Sequence, residues 1–183
     1  MSVNVVRGTT TKPAAVDELT RIFASSALLE GDLIVGYPNL GGDAADAVPE
    51  ALWLSQQYGA VLFDVVEGTD LGDYERRQDD IFRLYHSRLM QNRDLVRKRK
   101  LLTTPQVITF APGLLTRSGE LPELVATSAT LLGSLAELDE EDLDEDTYRK
   151  LLSAAQSVSS IRRARQTRVV DDQNSRGARL LAL

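Results

Sequence analysis

The stretch ALWLSQQYGAVLFDVVE, residues 51–67, decides the fold. Two apolar runs, Ala51 to Ser55 and Ala60 to Glu67, flank the four residues QQYG, and this spacing is typical of an antiparallel hairpin with a short connection. The second run contains three valines and a phenylalanine, and the first contains a tryptophan, residue types that favour strands. We therefore predict two neighbouring strands here and place the other elements around them.

The residues before this hairpin predict a helix, a strand and a loop. From Pro13 to Leu29, apolar side chains recur near helical spacing. The run DLIVGYP, Asp32 to Pro38, is a short apolar segment closed by proline, which predicts a strand. The Gly, Asn, Asp and Pro content of residues 39–49 is typical of a loop.

The residues after the hairpin predict a long helix and a further strand. Residues 68–73, GTDLGD, are turn-forming, and no Gly or Pro interrupts the chain from Tyr74 to Leu101. Such a helix would be about 42 Å long, at about 1.5 Å per residue. The run QVITFAP, Gln106 to Pro112, predicts a fourth strand.

The carboxy-terminal third predicts a helical extension. Residues 124–132 fit either a strand or a helix, and Asp144 is expected to cap a final helix that ends near Arg163. The fold class is thus α/β in an α+β layout, with a mixed central sheet flanked by helices. We expect a domain over residues 1–135, followed over residues 136–183 by an acidic belt, a helix and a basic extension.

The amino-acid composition excludes several classes of catalytic and metal-binding site. The 183 residues are 43% apolar and 26% charged, which is typical of one folded domain. The absence of cysteine excludes disulfide scaffolds, thiolate catalysis and cysteine-ligated metals, and the single histidine, His86, argues against Ser-His-Asp chemistry. No apolar run approaches the roughly 18 residues of a spanning helix and no secretory signal begins the chain, so we expect a soluble, cytoplasmic protein.

The charges are segregated along a chain of net charge −6. Nine basic and five acidic residues lie between Asp73 and Lys100, whereas eight acidic residues and no basic ones lie between Glu137 and Asp146. Arginine outnumbers lysine in the basic stretch, and its planar guanidinium suits phosphate. Two interpretations stay open, a phosphate-binding surface and an ordinary solvated helix face.

The third predicted strand carries the residues of a family resemblance. It reads Gly59, four apolar residues, Asp64, Val65 and Val66. The pattern resembles the nuclease-related domain at the amino terminus of bacterial superfamily I helicase-type proteins, where a glycine, four apolar residues, an acid, any residue and a lysine follow one another. The predicted order of elements is also that of the restriction-endonuclease-like fold, and the resemblance covers roughly residues 14–112.

The resemblance implies a site for Mg²⁺ or Mn²⁺ whose D/E-x-K motif is degenerate. Val66 stands at the lysine position, and Ala51 stands where the family has an aspartate. A bulge in the first hairpin strand would turn Glu50 beside Asp64, and without it the metal site is empty. The candidate catalytic residues are Asp64 and Glu50. The candidate metal ligands are Asp64, Glu50, Asp46 and Glu67.

Two functions follow from the resemblance. The first is a nuclease-like module that binds or positions DNA, for which an inactive site is favoured over an active one. Its candidate phosphate contacts are Arg76, Arg77, Arg97, Lys98, Arg99 and Lys100. The second is an inactive interaction domain that docks a helicase motor or a partner subunit. The chain has no G-x-x-x-x-G-K-[ST] loop, so a helicase motor is expected in a continuation of the polypeptide or in a partner subunit. The apolar ending, RLLAL, fits either a boundary cut from a longer polypeptide or a natural terminus that docks in a groove.

Overall fold

The computed structural model describes residues 3–36, 48–115 and 119–155. The strands are β1 (Val3–Arg7), β2 (Gly31–Val35), β3 (Ala51–Ser55), β4 (Gly59–Val65), β5 (Val96–Arg97), β6 (Lys100–Leu101), β7 (Gln106–Phe110) and β8 (Val125–Ala126). The helices are α1 (Pro13–Ser25), α2 (Tyr74–Gln91), α3 (Leu131–Ala136) and α4, which covers residues 145–155 of the described chain. Six strands form a mixed sheet in the order β1-β2-β3-β4-β7-β8, which confirms the predicted α/β class.

The predicted hairpin is strands β3 and β4. They pair antiparallel from Ala51 opposite Phe63 to Ser55 opposite Gly59. Gly59 has a φ of 69°, a left-handed conformation that glycine adopts without a Cβ clash. Every residue of both strands is buried, which explains why the two runs read as continuous apolar stretches rather than alternating ones.

Strand direction gathers the candidate residues at one edge of the sheet. Strand β3 is antiparallel to both of its neighbours, whereas the other pairings of this sheet are parallel. The amino end of β3 therefore lies beside the carboxyl ends of β2 and β4. In open α/β sheets the carboxyl edge is the usual place for a ligand. Glu50, which precedes β3, and Asp64, near the end of β4, both lie at this edge.

Helices cover the two faces of the sheet. On one face, α1 packs through Leu19 and Phe23, and the ring of Phe23 meets that of Trp53 edge-on at 5.3 Å. On the other face, α2 packs through Ile81 and Tyr85, together with side chains of α4. Because successive strand residues point to opposite faces, Val65 faces α1 and Asp64 faces α2.

The prediction of one helix from Tyr74 to Leu101 is wrong in its second part. Helix α2 ends at Gln91 because the backbone of Asn92 turns to extended dihedrals, and the Asn92 side chain accepts a hydrogen bond from the Asp94 amide. A 3₁₀ turn, Arg93–Leu95, and the small hairpin β5–β6 follow. Within the described residues, no helix is long and apolar enough to cross a membrane.

The structure also resolves the open segments of the prediction. Strand β1 was not expected and extends the sheet as an edge strand, while the ambiguous residues 124–132 divide between β8 and the start of α3. Asp144 does cap α4, since its carboxylate accepts the Thr147 amide at 2.8 Å. The predicted continuation of that helix to Arg163 lies outside the described residues.

Candidate functional site

Asp64 is held in a buried ion pair. Asp64 is only 2% exposed. The Arg77 Nε donates to its carboxylate and lies 3.2 Å from each of the two oxygens. Arg77 Nη2 lies 3.1 Å from Asp64 Oδ2, and the Thr109 hydroxyl donates to the same oxygen at 3.1 Å. Four donor contacts thus surround the carboxylate of Asp64, the residue that matches the acid of the resembled motif.

Further hydrogen bonds made by residues of helix α2 hold this ion pair in place. Arg77 also donates to the Leu71 carbonyl at 2.9 Å, and its neighbour Gln78 donates to Thr109 Oγ1 at 2.9 Å. Since an arginine guanidinium stays protonated, it neutralises Asp64 permanently. Arg77 therefore supplies at Asp64 the positive charge that a divalent cation would bring, and it is a poor proton shuttle.

Glu50 belongs to a separate cluster. Its amide donates to the Phe63 carbonyl at 3.0 Å. Because Ala51 is the register partner of Phe63, both Glu50 and Ala51 lie opposite Phe63, as in a β-bulge. The Glu50 side chain, however, accepts the hydroxyls of Thr10 at 2.9 Å and Thr11 at 3.3 Å, just before α1. The bulge-type pairing is present, but the Glu50 carboxylate accepts hydrogen bonds from residues that precede α1 and not from the residues that bind Asp64.

Lys12 completes this second cluster and was missed by the sequence analysis. Its ammonium donates to the Val65 carbonyl at 2.6 Å and lies 3.8 Å from Glu50 Oε1. The Glu67 carboxylate accepts the Ala15 amide at 3.1 Å in the first turn of α1. One signal was available: a lysine before Pro13 stands where a helix usually has a Ser, Thr, Asp or Asn cap.

The described residues do not fit the cation that the resemblance implies. Asp64 is neutralised by Arg77, while Glu50 and Glu67 are occupied by donors at the start of α1. In the described ranges, no group of three or more His, Asp or Glu residues is arranged to hold a metal ion. Asp46, the remaining candidate ligand, lies outside those ranges. The three described carboxylates therefore bind donors of the fold itself.

The six candidate phosphate contacts divide into three environments. Arg77 is committed to Asp64, and Arg76 is exposed on α2 with Asp80 at 3.8 Å. The other four form the tip of the β5–β6 hairpin, which we call the basic hairpin (residues 96–101). All four are exposed, and none forms an ion pair within the described part of the chain. They are Arg97, Lys98, Arg99 and Lys100.

The turn of the basic hairpin is strained. Its central residues, Lys98 and Arg99, have φ values of 50° and 66°. Positive φ at both central positions is the requirement of a type I′ turn, for which Asn-Gly is the preferred sequence. A bulky residue in this region costs roughly 1–2 kcal/mol. The chain thus keeps two cations at positions where they destabilise the backbone.

A cleft of about 570 Å³ lies at the opposite edge of the sheet, lined by Asp32, Tyr58 and Tyr148 among others. Its polar groups bond mainly to one another, since the Tyr148 hydroxyl donates to Asp32 at 2.9 Å and Asn4 donates to the other Asp32 oxygen at 2.8 Å. Burial, and then the hydrogen bond to Asp32, raises the pKa of Tyr148 above its usual value, so the phenol stays a neutral donor.

Comparison of the chain with protein-family models, with curated proteins and with solved structures finds no significant match.

Proposed function

We propose that this chain is a nuclease-like module of a superfamily I helicase-type protein that binds or positions DNA through the basic hairpin. The architecture supports the restriction-endonuclease-like part of the proposal. The series α1, β2, β3, β4, α2, β7 runs in the predicted order, with β2, β3 and β4 as antiparallel neighbours and β7 parallel to β4.

A degenerate site supports binding rather than cleavage. Val66 stands at the lysine position of the resembled motif, and Arg77 pairs with Asp64. Lys12 is a lysine at the same edge of the sheet, but its ammonium is engaged by Val65 and Glu50. We therefore expect no cleavage of single-stranded or duplex DNA when Mg²⁺ or Mn²⁺ is added, in the wild type or in Asp64→Ala.

The observation that carries DNA binding is the exposed cluster of four cations on a strained turn. A strained backbone conformation is typically kept where function requires it. Contact with phosphate groups is one function that the exposed cations of this turn can serve. Four phosphate contacts predict that the logarithm of the association constant falls with the logarithm of salt concentration at a slope of about −3.6 for duplex DNA.

The experiment is a titration of labelled duplex and single-stranded DNA followed by fluorescence anisotropy at several salt concentrations. Lys98→Asn/Arg99→Gly removes two cations and installs the preferred turn sequence, so the duplex slope is expected to fall to about −1.8. The matched control is Arg21→Gln/Arg83→Gln, which removes two exposed arginines that are ion-paired on their own helices. Equal losses in both variants would contradict a role for the hairpin.

The interaction-domain alternative predicts a different result. A domain that docks a motor or a partner subunit through apolar contacts would bind no DNA at any salt concentration, or would bind it without a steep salt dependence. The feature that favours this alternative is a groove beside α2 with exposed apolar side chains, Phe82 and Leu124.

A further inference from the structure

A groove of about 550 Å³ lies between α2, the start of β7 and the segments 123–124 and 137–139. Its surface presents two large apolar side chains, Phe82 at 37% exposure and Leu124 at 45%. Leu124 has a φ of 55°, which is rare for a bulky residue, and its carbonyl accepts the Thr109 amide at 2.9 Å. The backbone bond therefore fixes Leu124 in a strained conformation that leaves its side chain in the groove.

Acidic side chains surround this apolar surface, which we call the acidic groove. Asp79 is paired at 3.8 Å with Arg83 on its own helix. Glu123, Glu137 and Asp139 are exposed, and their carboxylates have no ion pair within the described residues. An apolar floor with an acidic rim suits long basic side chains, because their methylene stems cover apolar surface while their charged ends meet carboxylates.

The basic hairpin has the complementary chemistry. It presents four exposed cations at the end of a two-stranded turn, flanked by the half-buried Val96 and Leu101. We propose that the acidic groove binds the basic hairpin of a second copy of this chain. Both surfaces consist of described residues, and charge complementarity selects this occupant over an apolar or an acidic one.

The position of the two surfaces favours a closed pair. The hairpin ends at Leu101, and Thr104, three residues later, lines the groove, so the hairpin is joined directly to one side of the groove. A two-fold axis between two copies then places each hairpin in the groove of the other copy. In this arrangement the hairpin is covered, so duplex DNA competes with dimer formation. The dimer itself does not depend on the DNA-binding proposal, because it is measured without DNA.

The test is sedimentation velocity of the full chain, without DNA, at tens of micromolar protein. We expect a dimer, twice the 20.1 kDa of the chain, that dissociates to monomers as salt is raised. Arg99→Glu in the hairpin and Glu137→Lys in the groove are each expected to be monomeric. Glu145→Lys, an exposed acid on α4, is the matched control and should remain dimeric.

Mixing the two charge-reversed variants separates this proposal from general charge effects. In the mixed pair, one contact joins the glutamate introduced in the first variant to the lysine introduced in the second. The other contact joins the original Arg99 and Glu137, so both contacts are complementary and the dimer mass should return. A monomeric wild type at low salt, a dimer formed by either variant alone, or a mixture that stays monomeric would each overturn the proposal. If the monomeric Glu137→Lys variant, whose hairpin is unchanged and uncovered, binds no DNA at low salt, that result would instead count against the proposed function alone.

Discussion

Replacing Arg77 by alanine is expected to destabilise the fold more than replacing Asp64, although both changes break the same ion pair. Arg77→Ala leaves a carboxylate that is 2% exposed without its counter-charge. Asp64→Ala leaves an arginine whose side chain is already 28% exposed and is able to turn toward water. The two residues therefore differ in how well the remaining charge is solvated.

The magnitudes follow from burial. Removing one partner of a buried ion pair typically costs about 3–5 kcal/mol, and the partial exposure of Arg77 places this pair near the lower end, at about 3 kcal/mol for Arg77→Ala. For Asp64→Ala we expect about 1–2 kcal/mol, since the hydrogen bond from Thr109 is lost but no charge is stranded. The double variant should be less destabilised than the sum of the two single variants.

Urea unfolding monitored by circular dichroism measures these differences. With a denaturant slope of about 2 kcal/mol/M, the midpoint of Arg77→Ala should fall by about 1.5 M. The same experiment with Mg²⁺ tests whether Arg77 stands in for a cation, because the freed Asp64 carboxylate should then gain a metal-dependent rise in midpoint that the wild type lacks. Arg76→Ala, with its exposed partner Asp80, is the control and should change the midpoint little.

Two results would refute this reasoning. If Asp64→Ala is the more destabilising change, the carboxylate is needed for packing or for hydrogen bonding rather than for charge balance. If the two single effects simply add in the double variant, the ion pair contributes no coupling energy, and the interpretation of Arg77 as the replacement for a cation fails.

Three further predictions concern the turn of the basic hairpin, the α4 cap and the first residue of β2. Lys98→Asn/Arg99→Gly should raise the free energy of unfolding by about 1 kcal/mol because it relieves positive φ values, as a higher urea midpoint would show; an unchanged or lower midpoint contradicts strain in the turn. Backbone hydrogen bonds lower the pKa of Asp144 below its usual 3.8, so its stabilising effect is complete above that pH and is lost as the pH falls through the lowered pKa. Melting curves should therefore show Asp144→Ala less stable than wild type at neutral pH but matching it in strong acid, while Asp144→Asn keeps the cap; a gap that persists in acid argues against the carboxylate. Gly31→Ala should prevent folding, because a Cβ there would lie 2.0 Å from the Leu54 carbonyl oxygen, and a native circular dichroism spectrum would disprove this.

The hairpin and its surroundings were predictable because local patterns determine them. Residues 51–67 carry two buried strands around a short turn, and both the apolar runs and Gly59 mark them. The end of α2 was not predictable in the same way. Its stop depends on Asn92 and on the packing of Leu95, neither of which interrupts the charged sequence as a Gly or Pro would.

The candidate site is built from contacts between residues that are distant in the sequence, and the sequence analysis predicted fewer of these contacts. Asp64 faces α2 whereas Glu67, just beyond β4, bonds to the start of α1, as the alternation of strand side chains predicts. The sequence analysis did not foresee that Arg77 would bind Asp64 or that Lys12 would approach Glu50, because these pairs are brought together by helix packing across the sheet. Their roles in binding DNA or metal stay predictions.

The single antiparallel strand has a consequence for the order of folding. Strands β3 and β4 meet across a three-residue turn, whereas β1 and β2 are separated by the whole of α1. Closing a longer loop costs more entropy, so the β3–β4 hairpin is expected to form early and β1 to join the sheet late. As an edge strand with one neighbour, β1 should open without global unfolding, and the amides of Val3–Arg7 should exchange with solvent hydrogen faster than those of the central strands β3 and β4.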